Sequence, residues 1–308
     1  MTESVNNAPE AAAAPAPGRA PDHNLLAAVA IGVTMVLWAS AFVGIRHLGH
    51  DFAPGSLALG RLLVGSICLG GVALLRPWVR PTRSEWWAII GIGVLWFGIY
   101  NVALNTGERS VDAGTAAMLL QISPVLIAVL AVVFLGDTPT RNLIIGLAMA
   151  FAGVVMIGFS HPGGHRASLV GVVLCVVCAV VYSVSVILQK PIMARLPAAQ
   201  VTWLACVVGA ICCLPWAPTL LADLRSAPAS SIGWLIYLGA FPTAVAFTTY
   251  AYALRHMPAS RLGVTTYIVP PIAILMGWLL LGEVPPPLAY VGGALALAGV
   301  AVARRKGR

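Results

Sequence analysis

Long, continuously apolar segments alternate with short polar ones along most of this chain. Ten such segments can be counted, each near the roughly 20 residues that an α-helix needs to cross about 30 Å of hydrocarbon. Their apolar residues are continuous rather than alternating, which favours helices over the strands of a β-barrel. The predicted spans cover residues 25–45, 57–75, 86–104, 113–135, 141–159, 168–188, 199–219, 232–253, 259–281 and 288–303. The chain is therefore predicted to be an all-α integral membrane protein.

The second half of this pattern repeats the first. Residues 109–155 align without a gap to residues 255–301 at an offset of 146. Pro124 matches Pro270 in the alignment, and a Leu-Gly-acid run ends each copy of the fourth span. A duplicated half in a polytopic membrane protein is typical of an alternating-access transporter, with the substrate site between the halves.

The number of spans in each half fixes how the halves are related. Five is an odd number, so the second copy enters the membrane from the opposite side, and a pseudo-two-fold axis in the membrane plane relates the two. We expect ten transmembrane helices as two inverted five-helix repeats, covering 25–160 and 165–303. A disordered tail, 1–24, precedes them, and a basic tail, 304–308, follows.

Composition and charge support a membrane protein with a defined orientation. Hydrophobic residues make up 59% of the chain and charged residues 9%, against about 25% charged residues in soluble domains. The net charge of +8 does not indicate nucleic acid, because the basic residues gather in alternate loops. Thirteen fall on the side of the termini, and four, Arg46, Arg109, Arg166 and Arg225, fall on the other. The positive-inside rule then predicts that both termini are cytoplasmic.

At this point the sequence resembles a known family. The run Trp38-Ala39-Ser40-Ala41-Phe42 in span one, the proline in the middle of spans four and nine, and the duplicated Leu-Gly-acid ending are similar to the drug/metabolite transporter superfamily, EamA type. Asp137 departs from the family pattern, which usually has Glu there. The resemblance implies export of small metabolites across a bacterial cytoplasmic membrane, and it is closest to the amino-acid exporters, including the aromatic amino-acid exporter.

The spans contain little that could carry chemistry. None of the ten acidic residues and none of the six histidines lies in the middle of a span, whereas proton-driven transporters commonly place such a group there. We therefore expect facilitated diffusion, with proton antiport as the alternative. No catalytic residue, cofactor or metal site is predicted, and Cys175 and Cys178 are interpreted as small packing residues. A membrane-embedded enzyme or a channel is the alternative from another class.

Polar and aromatic residues inside the spans are candidates for the substrate site, because lipid disfavours polar side chains on the outer surface. Spans one, three, four, six, eight and nine are expected to line the cavity, an assignment that rests partly on the resemblance. Interhelical hydrogen bonding is the alternative role for these residues. The candidates for substrate binding are Trp38, Tyr100, Asn101, Gln121, Tyr182 and Tyr267.

The paired prolines add a second element to this site. A proline inside a helix removes a hydrogen bond and frees a carbonyl four residues earlier. The freed carbonyls lie near Leu120 and Thr266, where they are expected to hold the ammonium group of an amino acid. Pro124 and Pro270 are thus expected to kink the helices of the site.

Charged and small residues suggest how the repeats could move. Arg61 lies in span two about one turn from its outer end, where snorkelling to the surface is favoured over a gating or anion-binding role. Asp137 and Glu283 close spans four and nine on opposite faces of the membrane, as helix ends or as latches. Tyr250 and Tyr252 are expected in an interfacial belt.

The expected partners follow from this interpretation. They are a small-molecule substrate, such as an amino acid or a drug, nucleobase or sugar-type metabolite, and the lipid bilayer, without nucleic acid. Gly146 with Ala150, and Gly292 with Ala296, have the spacing of closely packed helices. The sequence leaves open whether these helices pack within a monomer or between the subunits of a homodimer.

Overall fold

The computed structural model describes residues 23–75, 77–135, 141–159, 166–256 and 265–303, and the regular structure in those ranges is helical. Residues 1–22 of the predicted tail, Asp137 and the basic tail 304–308 lie outside these ranges. The α-helices run His23–Leu48, Pro54–Leu74, Arg83–Ile92, Tyr100–Gly107, Ala113–Leu120, Ser123–Leu135, Arg141–Gly158, Arg166–Ile192, Ala198–Cys212, Ala217–Ser226, Ala229–Leu238, Ala246–His256, Val269–Leu281 and Pro287–Ala303.

These helices correspond to the ten predicted spans. Among the described residues, six helical segments are long and apolar enough to cross a membrane, and a seventh is a pair bent by 52°. The bend lies between Ala198–Cys212 and Leu214–Ser226 in the seventh span. Three shorter apolar helices supply the fifth, ninth and tenth spans. The predicted fold, a multi-pass helical membrane protein with two repeats, is confirmed.

Local sequence explains where several helices begin. Thr82 accepts a hydrogen bond from the backbone N–H of Glu85, whose carboxylate in turn accepts one from the backbone N–H of Thr82, a capping box. Asp112 caps the fourth span through the backbone N–H of Thr115 at 2.8 Å. Pro54 occupies the first helical position of span two, where a proline costs no hydrogen bond.

Spans five and ten pack backbone against backbone along a glycine seam. A Cβ atom at Gly146 would collide with the carbonyl oxygen of Gly299, and one at Gly153 with that of Gly292. Under the offset of 146, Gly146 is equivalent to Gly292 and Gly153 to Gly299, so the two contacts exchange when the repeats are exchanged. The pseudo-two-fold axis therefore passes through this seam, and the small-residue spacing serves contact within the monomer.

Spans three and eight each contain a π-helical segment, which the sequence analysis did not predict. The two segments, Gly93–Ile99 and Gly239–Val245, are separated by the same offset of 146. Each packs against the second span of the other repeat: Gly93 lies against Val208, and Gly239 lies against Val64. π-Helical turns leave wider backbone spacing and are frequent at functional sites.

Spans four and nine each contain a turn directly before the paired prolines. A two-residue turn separates Ala113–Leu120 from Ser123–Leu135, and a 3₁₀ turn, Thr266–Ile268, precedes Val269–Leu281. Pro124 and Pro270 fall in the first turn of the helix that follows each break. The missing N–H of each proline is thus placed where a helix has no acceptor for it.

Candidate functional site

Five aromatic side chains from both repeats meet near the middle of the bundle. Ring centroids lie 5.2 Å apart for Trp38 and Tyr250, 5.8 Å for Trp38 and Phe247, and 5.3 Å for Trp96 and Phe247. Tyr182 packs edge-on against Trp96 at 5.0 Å. These five residues, from spans one, three, six and eight, form what we call the aromatic cluster.

The aromatic cluster is placed by mid-span positions and by the π-helical segment. Trp96 belongs to the π-helical segment of span three, and Trp38 lies in the middle of span one. All five rings are only partly buried, whereas the neighbouring Phe97 is buried. Partly exposed rings at such centroid separations offer flat apolar faces and attract cations.

Tyr100 and Asn101 continue from the π-helical segment. The side-chain amide of Asn101 donates hydrogen bonds to the carbonyls of Phe97, at 2.8 Å, and Trp96, at 3.3 Å. These bonds satisfy carbonyls of the π-helical segment and leave the buried Oδ1 of Asn101 without a partner among the described residues. Tyr100 lies close enough to Arg61 and Tyr182 to interact with them electrostatically.

Gln121 and Tyr267 lie where the breaks of spans four and nine meet. The amide Nε2 of Gln121 donates to the carbonyl of Thr266 at 3.1 Å, and Ser123 Oγ donates to the carbonyl of Leu120 at 2.6 Å. The prediction that these two carbonyls are free to hold an ammonium group is therefore wrong for this conformation. The side chains beside the breaks supply the missing donors, and Gln121 joins the two repeats.

Arg61 does not snorkel to the surface, contrary to the favoured prediction. Its side chain is 9% exposed, and its Nε donates to Thr243 Oγ1 at 3.0 Å. Thr243 belongs to the π-helical segment of span eight and donates in turn to the carbonyl of Leu238. Among the described residues this is the one hydrogen bond of the guanidinium, which has five N–H donors. The hydroxyl of Thr243 in span eight thus provides Arg61 with a hydrogen-bond acceptor inside the bundle.

Tyr250 is another correction, since it packs on Trp38 in the aromatic cluster and not in an interfacial belt. Phe247 was not among the predicted site residues. Phe247 is apolar, so a search for polar groups inside spans passes over it. Its spacing from Thr243 and Tyr250, four and three residues, places all three on one helical face and was the available signal.

One end of the bundle is joined by bonds between the repeats; we call it the Glu108 end. Arg46 Nε lies 2.6 Å from Glu283 Oε1 of the other repeat, and within the first repeat Arg46 Nη1 donates to the carbonyl of Glu108 at 2.5 Å. Ser231 Oγ donates to Asp51 Oδ2 at 2.5 Å. Glu283, a predicted latch residue, is thus paired with a basic residue of the other repeat. Glu108, which the apolar pattern places outside the predicted spans, is only 1% exposed.

The opposite end, which we call the Arg195 end, is joined differently. Arg195 forms an ion pair with Glu85 in which Nε lies 2.8 Å from Oε1, and this hydrogen-bonded carboxylate raises the pKa of Arg195. Gln200 exchanges two hydrogen bonds with the backbone of Val79, at 3.1 and 2.6 Å. Both contacts connect the start of span three to the loop and helix that follow span six.

The described residues hold no group of three or more His, Cys, Asp or Glu side chains that could bind a metal ion. Cys175 and Cys178 are buried as free thiols in span six. The geometry is that of a helical membrane protein whose two inverted repeats share one aromatic and polar centre.

Comparison with known proteins identifies the family. Residues 25–159 and again 169–305 match the EamA-like transporter family. A probable terminal-alkyne amino-acid exporter of Streptantibioticus cattleyicolor is 36% identical over 90% of this chain and 93% of its own. The uncharacterized transporter YdfC of Bacillus subtilis is 31% identical over 86% of each chain. The chain belongs to the EamA-like transporter family, within the drug/metabolite transporter superfamily.

A solved structure supports the fold. One crystal structure, described only as that of a protein, aligns with a TM-score of 0.60 at 21% identity, over 90% of this chain and 96% of its own. That likeness extends across both repeats and carries no information on the substrate.

Proposed function

We propose that this transporter exports amino acids by alternating access, moving them down their own gradient. The observation that carries the proposal is the aromatic cluster, because its rings come from both repeats and are only partly buried. A site shared between inverted repeats is opened to one side and then the other when the repeats rock against each other.

The groups around the aromatic cluster suit the three parts of an amino acid. The ring faces suit an apolar side chain and attract an ammonium group. Arg61, with four N–H donors not used by Thr243, suits a carboxylate. The Oδ1 of Asn101, which has no partner among the described residues, adds an acceptor for the ammonium group. Trp38, Tyr100 and Tyr182 keep their predicted roles in this proposal, and Gln121 and Tyr267 act from the breaks in spans four and nine.

The nature of the relatives supports an amino-acid substrate. One relative, 36% identical over most of both chains, is described as a probable exporter of a terminal-alkyne amino acid. An unsaturated or aromatic side chain has polarisable faces that pack well on tryptophan and tyrosine rings. We therefore propose that amino acids with such side chains are the preferred substrates.

The proposed orientation follows from the loop charges. Both termini lie in the cytoplasm, the protein resides in a bacterial inner membrane, and the Glu108 end faces outward. In that orientation the bonds at the Glu108 end close the outer side of the site.

Counterflow tests the proposed function. The purified protein would be reconstituted in liposomes loaded with one unlabelled amino acid, and uptake of the labelled form would be measured for aromatic, aliphatic and alkyne-bearing side chains. Saturable counterflow is expected. Trp96→Ala should raise KM about tenfold, since truncating a central aromatic contact costs about 1.4 kcal/mol. Trp87→Ala is the matched control, because Trp87 belongs to the same span and is 66% exposed.

Three results would contradict the proposal. Flux that does not saturate and shows no counterflow would indicate a channel. Counterflow of nucleobases or sugars but not of amino acids would show that the substrate class is wrong. Equal KM values for Trp96→Ala and Trp87→Ala would show that the aromatic cluster is not part of the substrate site.

A further inference from the structure

The buried carboxyl group of Glu108 has no hydrogen-bond partner in the described part of the chain. Glu108 directly follows the last residue of the third span and is 1% exposed, and neither of its side-chain oxygens accepts a hydrogen bond from a described residue. Buried polar groups in proteins are nearly always hydrogen-bonded, so each exception requires an explanation.

The nearby cations are engaged elsewhere. Arg46 Nε donates a hydrogen bond to Glu283, and Arg46 Nη1 donates one to the backbone carbonyl of Glu108 and not to its carboxyl group. Arg61 gives its Nε to Thr243. The titratable or charged groups that interact electrostatically with Glu108 come from spans one, two, three and six, from the loop before span four and from the end of span nine: Arg46, Arg61, Tyr100, Cys175, Cys178, Asp112 and Glu283.

An ionised carboxylate in this position would be costly. A buried charge without hydrogen bonds is disfavoured so strongly that the group takes up a proton instead. Burial raises the pKa of Glu108 well above its usual range, and the positive charges of Arg46 and Arg61 offset this only in part. Glu283 and Asp112 add negative charge nearby and act in the same direction as burial.

We propose that Glu108 binds a proton whenever the Glu108 end is closed and releases it to the outer solution when that end opens. The proposal rests on the proposed function, since it assumes that the Glu108 end faces outward and opens during transport. It assigns to Glu108 a proton site coupled to the movement of the outer side. The proton comes from the outer solution and returns to it, so the site need not drive uphill transport.

Two asparagines of span three would bind water near Glu108 when the Glu108 end opens. Asn101, Asn105 and Glu108 follow one another at intervals of four and three residues, which places them on one helical face. Asn101 and Asn105 each have a buried Oδ1 without a partner among the described residues. Water entering from the opened end would thus find acceptors in a row leading from Glu108 toward the aromatic cluster.

The direction of the pH effect follows from linkage. A hydrated Glu has a pKa of about 4.3, and the closed state raises it, so the closed state binds more protons than the open one. Closure is therefore favoured fully at acidic outer pH. The equilibrium constant for closure falls by up to about tenfold per pH unit as the outer pH rises from the open-state pKa to the closed-state pKa of Glu108. Alkaline outer solution promotes opening.

Infrared spectroscopy of the reconstituted protein tests the bound proton directly. At pH 7 the wild type should show the carbonyl band of a protonated carboxyl group, and Glu108→Gln should lack it. Asp112→Asn is the matched control, because Asp112 is a neighbouring acid whose oxygens already accept bonds from Thr115. It should retain the band. If Glu108→Gln does not fold, Glu108→Asp takes its place, and its carbonyl band should lie at a different frequency from that of the wild type. Identical spectra of wild type and either Glu108 variant would overturn the proposal.

Transport gives a second readout. With the inner pH fixed, raising the outer pH from about 5.5 to about 8.5 should accelerate exchange in the wild type and in Asp112→Asn but not in Glu108→Gln. An equal pH response in all three proteins would also overturn the proposal. If no amino acid is exchanged at any pH, the proposed function fails, and the infrared band still decides whether Glu108 holds a proton.

Discussion

Spans three and eight have the same backbone but different side-chain chemistry. Both contain a π-helical segment at equivalent positions, Gly93–Ile99 and Gly239–Val245. The positions that follow differ: Asn101 and Asn105 of span three and Glu108 directly after it correspond, under the offset of 146, to Phe247, Ala251 and Leu254 of span eight. Span three carries a row of acceptors toward the Glu108 end, whereas the three equivalent positions of span eight are apolar and one of them contributes Phe247 to the aromatic cluster.

This difference separates two requirements on a transporter of this kind. The two end states of an inverted-repeat protein exchange the roles of the repeats, so both repeats need the same breaks, π-helical segments and close contacts. The substrate and the two solutions are not symmetric, so the side chains along these shared backbones can differ. Substitutions at equivalent positions of the two repeats should therefore have equal effects where they disturb a close backbone contact. They should have unequal effects where the side chains at the two positions differ.

The largest expected effect is at the glycine seam. Gly146→Leu and Gly292→Leu each place a side chain against backbone of the opposing helix, which cannot move aside. Each should lower the free energy of unfolding by about 3 kcal/mol or more, and the two should be equal because the positions are equivalent. Thermal unfolding in detergent would measure this. Gly32→Leu is the matched control, since a Cβ there meets open space; a loss as large in that variant would contradict the account.

The π-helical segments should respond next most strongly. A Cβ at Gly93 would lie 2.5 Å from Val208 Cβ, and a Cβ at Gly239 would lie 2.5 Å from Val64 Cβ. Gly93→Ala and Gly239→Ala should each cost about 1–3 kcal/mol of stability by overpacking and slow counterflow to a similar degree. Gly98→Ala makes only ordinary contact with Cys212 and should leave both unchanged. A strong defect in one repeat with none in the other would argue against equivalent backbones.

Replacing a residue of the acceptor row in span three by the equivalent residue of span eight should destabilise the protein moderately. Asn105→Ala introduces the residue found at the equivalent position and removes the hydrogen bond from Nδ2 to the carbonyl of Pro54, at 2.9 Å. The free energy of unfolding should fall by about 1 kcal/mol, while counterflow at fixed pH persists. Complete loss of counterflow in a stable variant would show that Asn105 has a direct role in transport.

The smallest effect is expected at the Arg195 end. Arg195 is half-exposed, so its ion pair with Glu85 is screened by salt and contributes little. Arg195→Ala should lower the unfolding temperature slightly at low ionic strength and not at high ionic strength. Arg46→Ala, at the more buried pair with Glu283, should have the larger effect and persist in salt. The reverse ranking would contradict the difference drawn between the two ends.

Much of the fold was predictable because its signals are local. Span length and the offset of 146 are readable along the chain, and the structure agrees with them. The glycine seam was visible as a spacing, although the partner of each glycine was not. The π-helical segments were not predictable, since a wide helical turn depends on which neighbour approaches, as Val208 approaches Gly93.

The candidate site was predictable only in part, for the same reason. Trp38 and Tyr182 were found because they are aromatic residues in the middle of spans. Phe247 and Tyr250 were missed because their contacts depend on how span eight turns after its π-helical segment. The buried Arg61 donates a hydrogen bond to Thr243, and near the buried Glu108 the donors of Arg46 bind Glu283 and the backbone carbonyl of Glu108. These contacts join residues that are far apart in the sequence, so the sequence does not predict them.

The most direct test of the account is whether the two ends of the bundle open in opposition. Cysteine pairs would be introduced at exposed residues in a variant without the six native cysteines, one pair at His50 and Val284 near the Glu108 end and one at Leu26 and Ala194 near the other end. Spin-label distances would then be measured in liposomes with and without a transported amino acid. The account predicts that the fraction of long distances at one end rises as it falls at the other. Simultaneous widening at both ends, or none at either, would contradict two inverted repeats alternating around one shared site.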